Sequence, residues 1–530
     1  MRITSEFGNP IKLLFLLSLP LILTVQSFAQ AVEKVIDTEF DNCTSIMVGK
    51  KASTDGSTIT SHSCDSRSDR TWVNIVPRMK HVKGTMAKVY FEPKLTTMPD
   101  QPNRKVTVEI PQVTETYAYF NAAYPIMNEY QLAIGESTFG GKDIMQSDSG
   151  KIDCPELYRL ALERAKTARE AIKVIDELTK RYGYNDVGEC FTFADPNEVW
   201  YFEIVGPGKG KIGAVWAAVR VPDDHISVNA NASRIRTLNL KDKENFLASD
   251  NVFSKAEELG LWNSKSGQPF EFCYVYANRN SLGCRRREWR VLSLVAPSLK
   301  LDANAENYPI SVKPEKKYSA QEVVNMFRDY YQDTPFDMTK TILTVDKEGK
   351  SIISPVANPF MNNDLKSLFK VSSERTIACV RATYVQVTQS RSWLPNEIGG
   401  IVWFGYDNPT ATPHIPYYIG NTTMPNSYMV DGRAKFNKES AWWAFRVVSQ
   451  LAMFRWQDMI KEINPVWQEI ENKAFNEQSK IEEQALILYK EDPNTAKDFL
   501  TKYSNNIANN AVERYWLLYE ELWSKYTQKF

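Results

Sequence analysis

The sequence predicts an α+β fold rich in antiparallel sheet, and three observations carry that expectation. Strand patterns come first, then a helical pattern, then strands again, instead of the alternating strand and helix units of a parallel sheet. Long, charged, aromatic-rich helical patterns gather after Ser440. The 530 residues, 43% hydrophobic, 12% aromatic and 24% charged, have the composition of a globular chain able to bury a sizeable core.

Each element follows from local pattern. CTSIMVGKK, from Cys43, reads as a strand, Ser53-Thr54-Asp55-Gly56 as a turn and Ser57 to His62 as the returning strand of a hairpin. TWVNIVP (71–77), Lys105 to Ile110 and Gln131 to Ile134 are further strand candidates, as are ECFTFAD and VWYFEIV around the turn Pro196-Asn197. The spacing of Leu157, Leu160, Ala161, Ala168, Ala171, Ile172, Ile175 and Leu178 predicts one helix from Pro155 to about Lys180. Three more helices are expected over 440–463, 465–489 and 494–526, the last two split from the first by Pro465.

The N-terminus adds an address. Arg2 and Lys12 precede the apolar run LLFLLSLPLILTV, and Ala29-Gln30-Ala31 supplies small residues for cleavage, so residues 1–31 read as a signal peptide. The run is too short, and too interrupted by Pro20, to favour a membrane anchor. Residues 32–42 look like a removable propeptide, followed by a main domain over 43–439 and a helical region over 440–530. A secreted or periplasmic protein is expected. There, seven cysteines without a CxxC pair read mostly as buried thiols rather than a disulfide scaffold. The 64 basic residues balance 64 acidic ones, so no net field draws nucleic acid, and no stable membrane insertion is expected after signal removal. Small peptide substrates are the expected partners, and homo-oligomerisation stays open.

Signatures of common chemistry are missing. There is no GxSxG elbow, no P-loop, no dinucleotide-binding glycine pattern at a strand-to-helix turn, and none of the four histidines sits in HExxH. No metal or organic cofactor is therefore expected. What stands out is Cys43 at the head of the first strand, behind a removable segment. A cysteine with a free α-amino group carries its own base, because an α-amine titrates at about 7.7–8.0 and can take the thiol proton without a histidine. Such use of Cys43 requires cleavage between Asn42 and Cys43. From position alone a core cysteine is the commoner reading.

The stretch from Cys43 to Thr58 (CTSIMVGKKASTDGST) resembles the mature start of the bacterial dipeptidase A family, the C69 dipeptidases, within the cysteine branch of the N-terminal nucleophile hydrolases. The resemblance continues through NEYQLAIGESTFGGK (128–142), WAAVRVPDDHISVNAN (216–231), RREWRVLSLVAPSLKL (286–301), TPFDMTK (334–340), TQSRSWLPNEIGGIVWFG (388–405) and SAWWAF (440–445). It implies an αββα sandwich and hydrolysis of dipeptides with a free amino terminus through an acyl-enzyme on Cys43.

The same resemblance implies site residues. Relatives hold the nucleophile with an Arg and an Asp three residues apart on the second strand; the matching positions are His62 and Asp65, and His62 departs from that pattern. Asn231 matches an amide that stabilises the oxyanion or positions the nucleophile, and Thr138 falls where relatives place an oxyanion-hole Asn, so its backbone N–H is the expected substitute. Arg287 matches a supporting Arg, with Arg285 and Arg286 as alternatives; by charge statistics alone the run reads as a solvated surface. Two rivals keep the fold: an N-acyl amide hydrolase of penicillin or bile-salt acylase type, and an exported binding protein that has lost catalysis.

Overall fold

Both faces of the first strand are buried, and they look into different apolar clusters. Ile46 and Val48 join one cluster and Met47 another, as the period of two along an extended chain requires when sheet faces are covered on both sides. The computed structural model describes residues 42–91, 105–278 and 280–529. The expected signal peptide at 1–31 and residues 32–41 of the expected propeptide lie outside the described residues.

In chain order, the strands of two large antiparallel sheets begin with β1 (Asn42–Val48), β2 (Ser61–Asp65), β3 (Asn74–Val76), β4 (Tyr119–Asn121) and β5 (Met127–Asn128). There follow β6 (Ala133–Thr138), β7 (Glu189–Ala194), β8 (Val199–Val205), β9 (Val215–Val221) and β10 (Ile226–Asn229). The remainder are β11 (Phe246–Ala248), β12 (Ser311–Val312), β13 (Tyr384–Gln389), β14 (Ile401–Tyr406) and β15 (Ile415–Tyr418). Among the described residues, one sheet has seven strands in the order β12-β10-β1-β2-β13-β14-β15, and the other has eight in the order β11-β9-β8-β7-β6-β5-β4-β3. The chain is of the mixed α+β class.

Met47 of β1 packs with Cys190, Ala194, Tyr201 and Val205 of the second sheet. The alternate residues of those strands, Phe191, Phe193 and Phe202, pack with helices α1 (Cys154–Arg164) and α2 (Ala168–Tyr182). On the other side of β1, Ile46 and Val48 share a cluster with Val291, Leu292 and Val295 of α3 (Leu282–Val295). Contact between the sheets is tight at one point: a Cβ added to Gly135 of β6 would lie 2.4 Å from the Ser61 carbonyl oxygen of β2.

Two helical expectations are corrected. The single helix expected over 155–180 is two, because Ala165 is extended and Thr167 starts α2 by accepting from the Glu170 N–H. The end of α1 is satisfied from outside, where Asn128 Nδ2 donates to the carbonyls of Leu162 and Ala165. At the C-terminal end, the helices are α4 (Ala441–Ala452), α5 (Trp456–Glu491) and α6 (Pro493–Tyr526), so Pro465 lies inside α5 and breaks nothing. Its missing donor is outweighed by burial of Met459, Ile463, Val466 and Trp467 along the same helix. Arg328, on the first sheet's side, donates to Glu471 of α5 at 2.5 Å, with His414 Nδ1 3.1 Å from the same carboxylate. This buried group pins the long helix to the body.

Candidate active site

The backbone of β1 decides which way Cys43 faces. Val48 exchanges hydrogen bonds with Ile59 at 2.9 and 3.0 Å, and the N–H groups of Thr44 and Ile46 reach the Ser63 and Ser61 hydroxyls. Even-numbered residues of β1 thus turn their amides towards β2. Cys43 turns its own away: the N–H donates to Asn231 Oδ1 at 3.0 Å, and the carbonyl accepts from Arg287 Nη1 at 2.6 Å and from Ser137 Oγ at 3.4 Å. Cys43 is therefore a non-hydrogen-bonded cross-strand partner of Cys64, the kind of pair whose side chains lie closest.

Side chains two apart share a face, so His62 joins Cys43 and Cys64. Its ring stands edge-on to Tyr124 and Tyr384, with centroids 5.2 and 5.7 Å away. Nε2 lies 3.1 Å from Glu136 Oε2. The Cys43 thiol, a His62 ring nitrogen and a Glu136 carboxylate oxygen all fall within 4.8 Å of one another, a donor set able to hold a metal ion. Asp65, three residues from His62, necessarily points to the opposite face. There it pairs with Arg375 and accepts from Ser63 Oγ at 3.2 Å, and its Cα partner is Asn42.

Of the other predicted residues, Asn231 and Arg287 meet on the Cys43 backbone. Asn231 has φ 61°, a left-handed conformation that Asn tolerates better than most residues. That turn after β10 brings its carboxamide back to Cys43 while its Nδ2 donates to the Thr138 carbonyl at 2.7 Å. The Thr138 hydroxyl donates to Glu136 at 2.8 Å and Glu189 at 3.0 Å. Of the three arginines, Arg287 is the one at the site: beyond the Cys43 carbonyl it reaches Thr44 Oγ1 at 2.9 Å, Asn231 Oδ1 at 2.8 Å and the Ala230 carbonyl at 3.1 Å. Arg285 bonds the carbonyls of Asn304 and Ala305, and Arg286 pairs with Glu374 over the Phe336 ring. All three are buried, which overturns the solvated-surface reading. Each donates from its terminal nitrogens to carbonyls or a carboxylate, as buried guanidinium groups need.

Electrostatics hold the Cys43 thiol in its protonated form. Burial, then the charges of Glu136, Cys64 and Asp65, push the Cys43 thiol well above its ordinary range. Glu136 stays ionised, because contact with His62 outweighs the burial that would protonate it. For Asp65 burial wins, raising its carboxyl despite the nearby Arg375 and Arg287.

Glu136, Ser137 and Arg375 were not singled out from sequence. Glu136 and Ser137 sit inside GESTFGG, and a carboxylate within an otherwise apolar or small-residue strand was the available signal. Ser137 Oγ accepts from the Asn231 N–H at 2.7 Å and links that residue to the Cys43 carbonyl. Arg375 lies in irregular chain, with no periodicity to mark it. The seven cysteines are buried and free of disulfides, as expected. Among the described residues no helix is long and apolar enough to cross a membrane.

These features define a mixed α+β protein with a buried cysteine-centred site at the start of its first strand. The profile of peptidase family C69 matches residues 42–469, and the chain belongs to that family. It is thus a peptidase. Similar proteins include a probable dipeptidase of Latilactobacillus sakei, 23% identical over 494 residues that cover 90% of this chain and 93% of the relative. Dipeptidase A of Lactobacillus helveticus is 23% identical over 77% of this chain and 81% of its own length. A probable dipeptidase of Salmonella dublin is 25% identical over 71% and 81%.

Proposed function

We propose that this peptidase is an exported dipeptidase of the N-terminal nucleophile type, in which removal of the residues up to Asn42 frees the α-amine of Cys43 to serve as base for its own thiol. The observation that carries the reading is the cradle around the Cys43 backbone: Asn231 Oδ1 on the nitrogen, Arg287 and Ser137 on the carbonyl. A core cysteine inside a strand has no need of a buried arginine and two side chains on its main chain. A nucleophile whose amine must be held still does.

In the mature enzyme, Asn231 Oδ1 orients the free amine so that its lone pair faces Sγ. The amine accepts the thiol proton as Sγ attacks the scissile carbonyl, then passes it to the leaving amine; water releases the acyl group by the same path. Asn231 Nδ2 and the Thr138 backbone N–H are the proposed oxyanion donors, the former by exchanging its present bond to the Thr138 carbonyl. Arg287 holds the Cys43 carbonyl and the Asn231 carboxamide together, and the buried Asp65–Arg375 pair lies beneath. His62 takes the place of the relatives' arginine as the neighbour that keeps Glu136 ionised. The layering of α1 and α2, the two sheets and α3 supports an αββα sandwich. Localisation outside the cytoplasm follows from the apolar N-terminal run.

Mass spectrometry of the secreted protein should find Cys43 as the first residue, and a dipeptide panel should be hydrolysed. Cys43→Ala should retain residue 42 and lower hydrolysis by at least 1,000-fold. Unchanged hydrolysis by Cys43→Ala rejects Cys43 as nucleophile; activity confined to N-acylated amino acids rejects the dipeptidase reading in favour of an acylase.

A further inference from the structure

We propose that Cys43, His62 and Glu136 form a binding site for Zn2+, and that the ion switches the peptidase off by occupying its nucleophile. Inhibition rests on the reading of Cys43 given above; binding does not.

The three donors, one thiol sulfur, one imidazole nitrogen and one carboxylate oxygen, already lie within 4.8 Å of one another. Around tetrahedral zinc, with bonds of about 2.0–2.3 Å, such donors stand about 3.3–3.6 Å apart. His62 Nε2 and Glu136 Oε2 are 3.1 Å apart, so the sulfur, within 4.8 Å of the other two donors, is the atom that must close in. His62 Nε2 and Glu136 Oε2 are fully buried and face each other, with no further hydrogen-bond partner of good geometry among the described residues. Coordination would replace that single contact by a bond from each atom to the ion.

The supporting contacts also suit a metal. Thr138 Oγ1 donates to the other oxygen of Glu136, fixing the carboxylate, and the rings of Tyr124 and Tyr384 fix the imidazole. Sulfur and imidazole together select zinc over calcium or magnesium. Charge balances too: as the ion binds, the thiol proton and the proton that His62 Nε2 shares with Glu136 leave to solvent, and thiolate plus carboxylate neutralise the dication inside a buried site. The fourth position is left for water. Any route that admits a dipeptide to Cys43 admits a hydrated ion.

The test uses the metal-free, full-length secreted protein. One equivalent of Zn2+ should bind, be removed by EDTA, and shield Cys43 of the wild type from iodoacetamide, a readout that needs no variant. Co2+ in its place should give a near-ultraviolet thiolate-to-metal band, lost in Cys43→Ala and kept in Cys64→Ser. His62→Ala and Glu136→Gln should weaken binding at least 10-fold. Unshielded Cys43 at saturating zinc, or a band that survives Cys43→Ala, overturns the site. Dipeptide hydrolysis undiminished with the ion bound overturns the switch. Zinc binding by a protein that hydrolyses no dipeptide, even after EDTA, supports the site and counts against the dipeptidase reading instead.

Discussion

Glu136 helps to hold the Cys43 thiol protonated. Its ionised carboxylate follows burial as the second cause holding the Cys43 thiol in its protonated form. Glu136→Gln removes one negative charge from beside a fully buried sulfur, so the pH at which half of Cys43 reacts with iodoacetamide should move down, as peptide mapping would measure. A midpoint that stays put would mean that burial alone governs the thiol. Asn231 shows the other way a single residue matters here. Its φ of 61° and its three side-chain partners are one device: the left-handed turn is what lets one carboxamide touch Cys43, Arg287 and Thr138 together. Cys43 and Arg287 were legible through the ordered sequence blocks they belong to. Glu136 shows locally only as a carboxylate within an apolar and small-residue strand; that it faces a thiol depends on Cys43 and His62 of other strands, which the segment itself does not reveal.

Among the elements, β6 and β2 come closest where they meet the site. Gly135 leaves no room for a side chain against the Ser61 carbonyl and the Thr192 hydroxyl, at 2.4 and 2.6 Å from an added Cβ. Gly135→Ala should therefore push the sheets apart, costing about 1–3 kcal/mol in denaturant unfolding. Because Glu136 and Ser137 follow directly, dipeptide hydrolysis should fall by more than 10-fold even where the variant is fully folded. Strand periodicity read β8 to the residue and placed β1 and β7 within a few residues, since each carries its own alternation of buried side chains. Helix ends were less legible. The break at Ala165 depends on Asn128 from another strand, and the tolerance of Pro465 depends on what its helix packs against; neither partner is visible from within the segment.

Across the molecule, two buried carboxyls tie stability to pH. Glu203 and Glu288 are both pushed up to about 7 by burial, opposed by Arg234 and, for Glu203, by the Ser233 hydroxyl and the Arg234 and Ile235 amides. A carboxyl that binds its proton more tightly folded than unfolded stabilises the fold at low pH. That stability is lost as pH rises from about 4.5 to about 7, by up to about 3 kcal/mol for each group. Glu203→Gln should remove its share of that decline, so the gap in Tm between variant and parent should change steadily across this window and level off above it; a constant gap would show that Glu203 ionises normally. The same residues hold the loop that follows β10, on which Asn231 sits. A different consequence follows from where the site's parts lie along the chain. Cys43 meets Asn231 and Arg287 across 188 and 244 residues, and Asp65 meets Arg375 across 310. Closing such long loops adds little free energy but delays assembly, since each doubling of length costs only about 0.6 kcal/mol while distant pairings form late. A growing chain carries Cys43 from early on and gains Asn231, Arg287 and Arg375 only as later segments follow, so the contacts around the Cys43 backbone close late in synthesis.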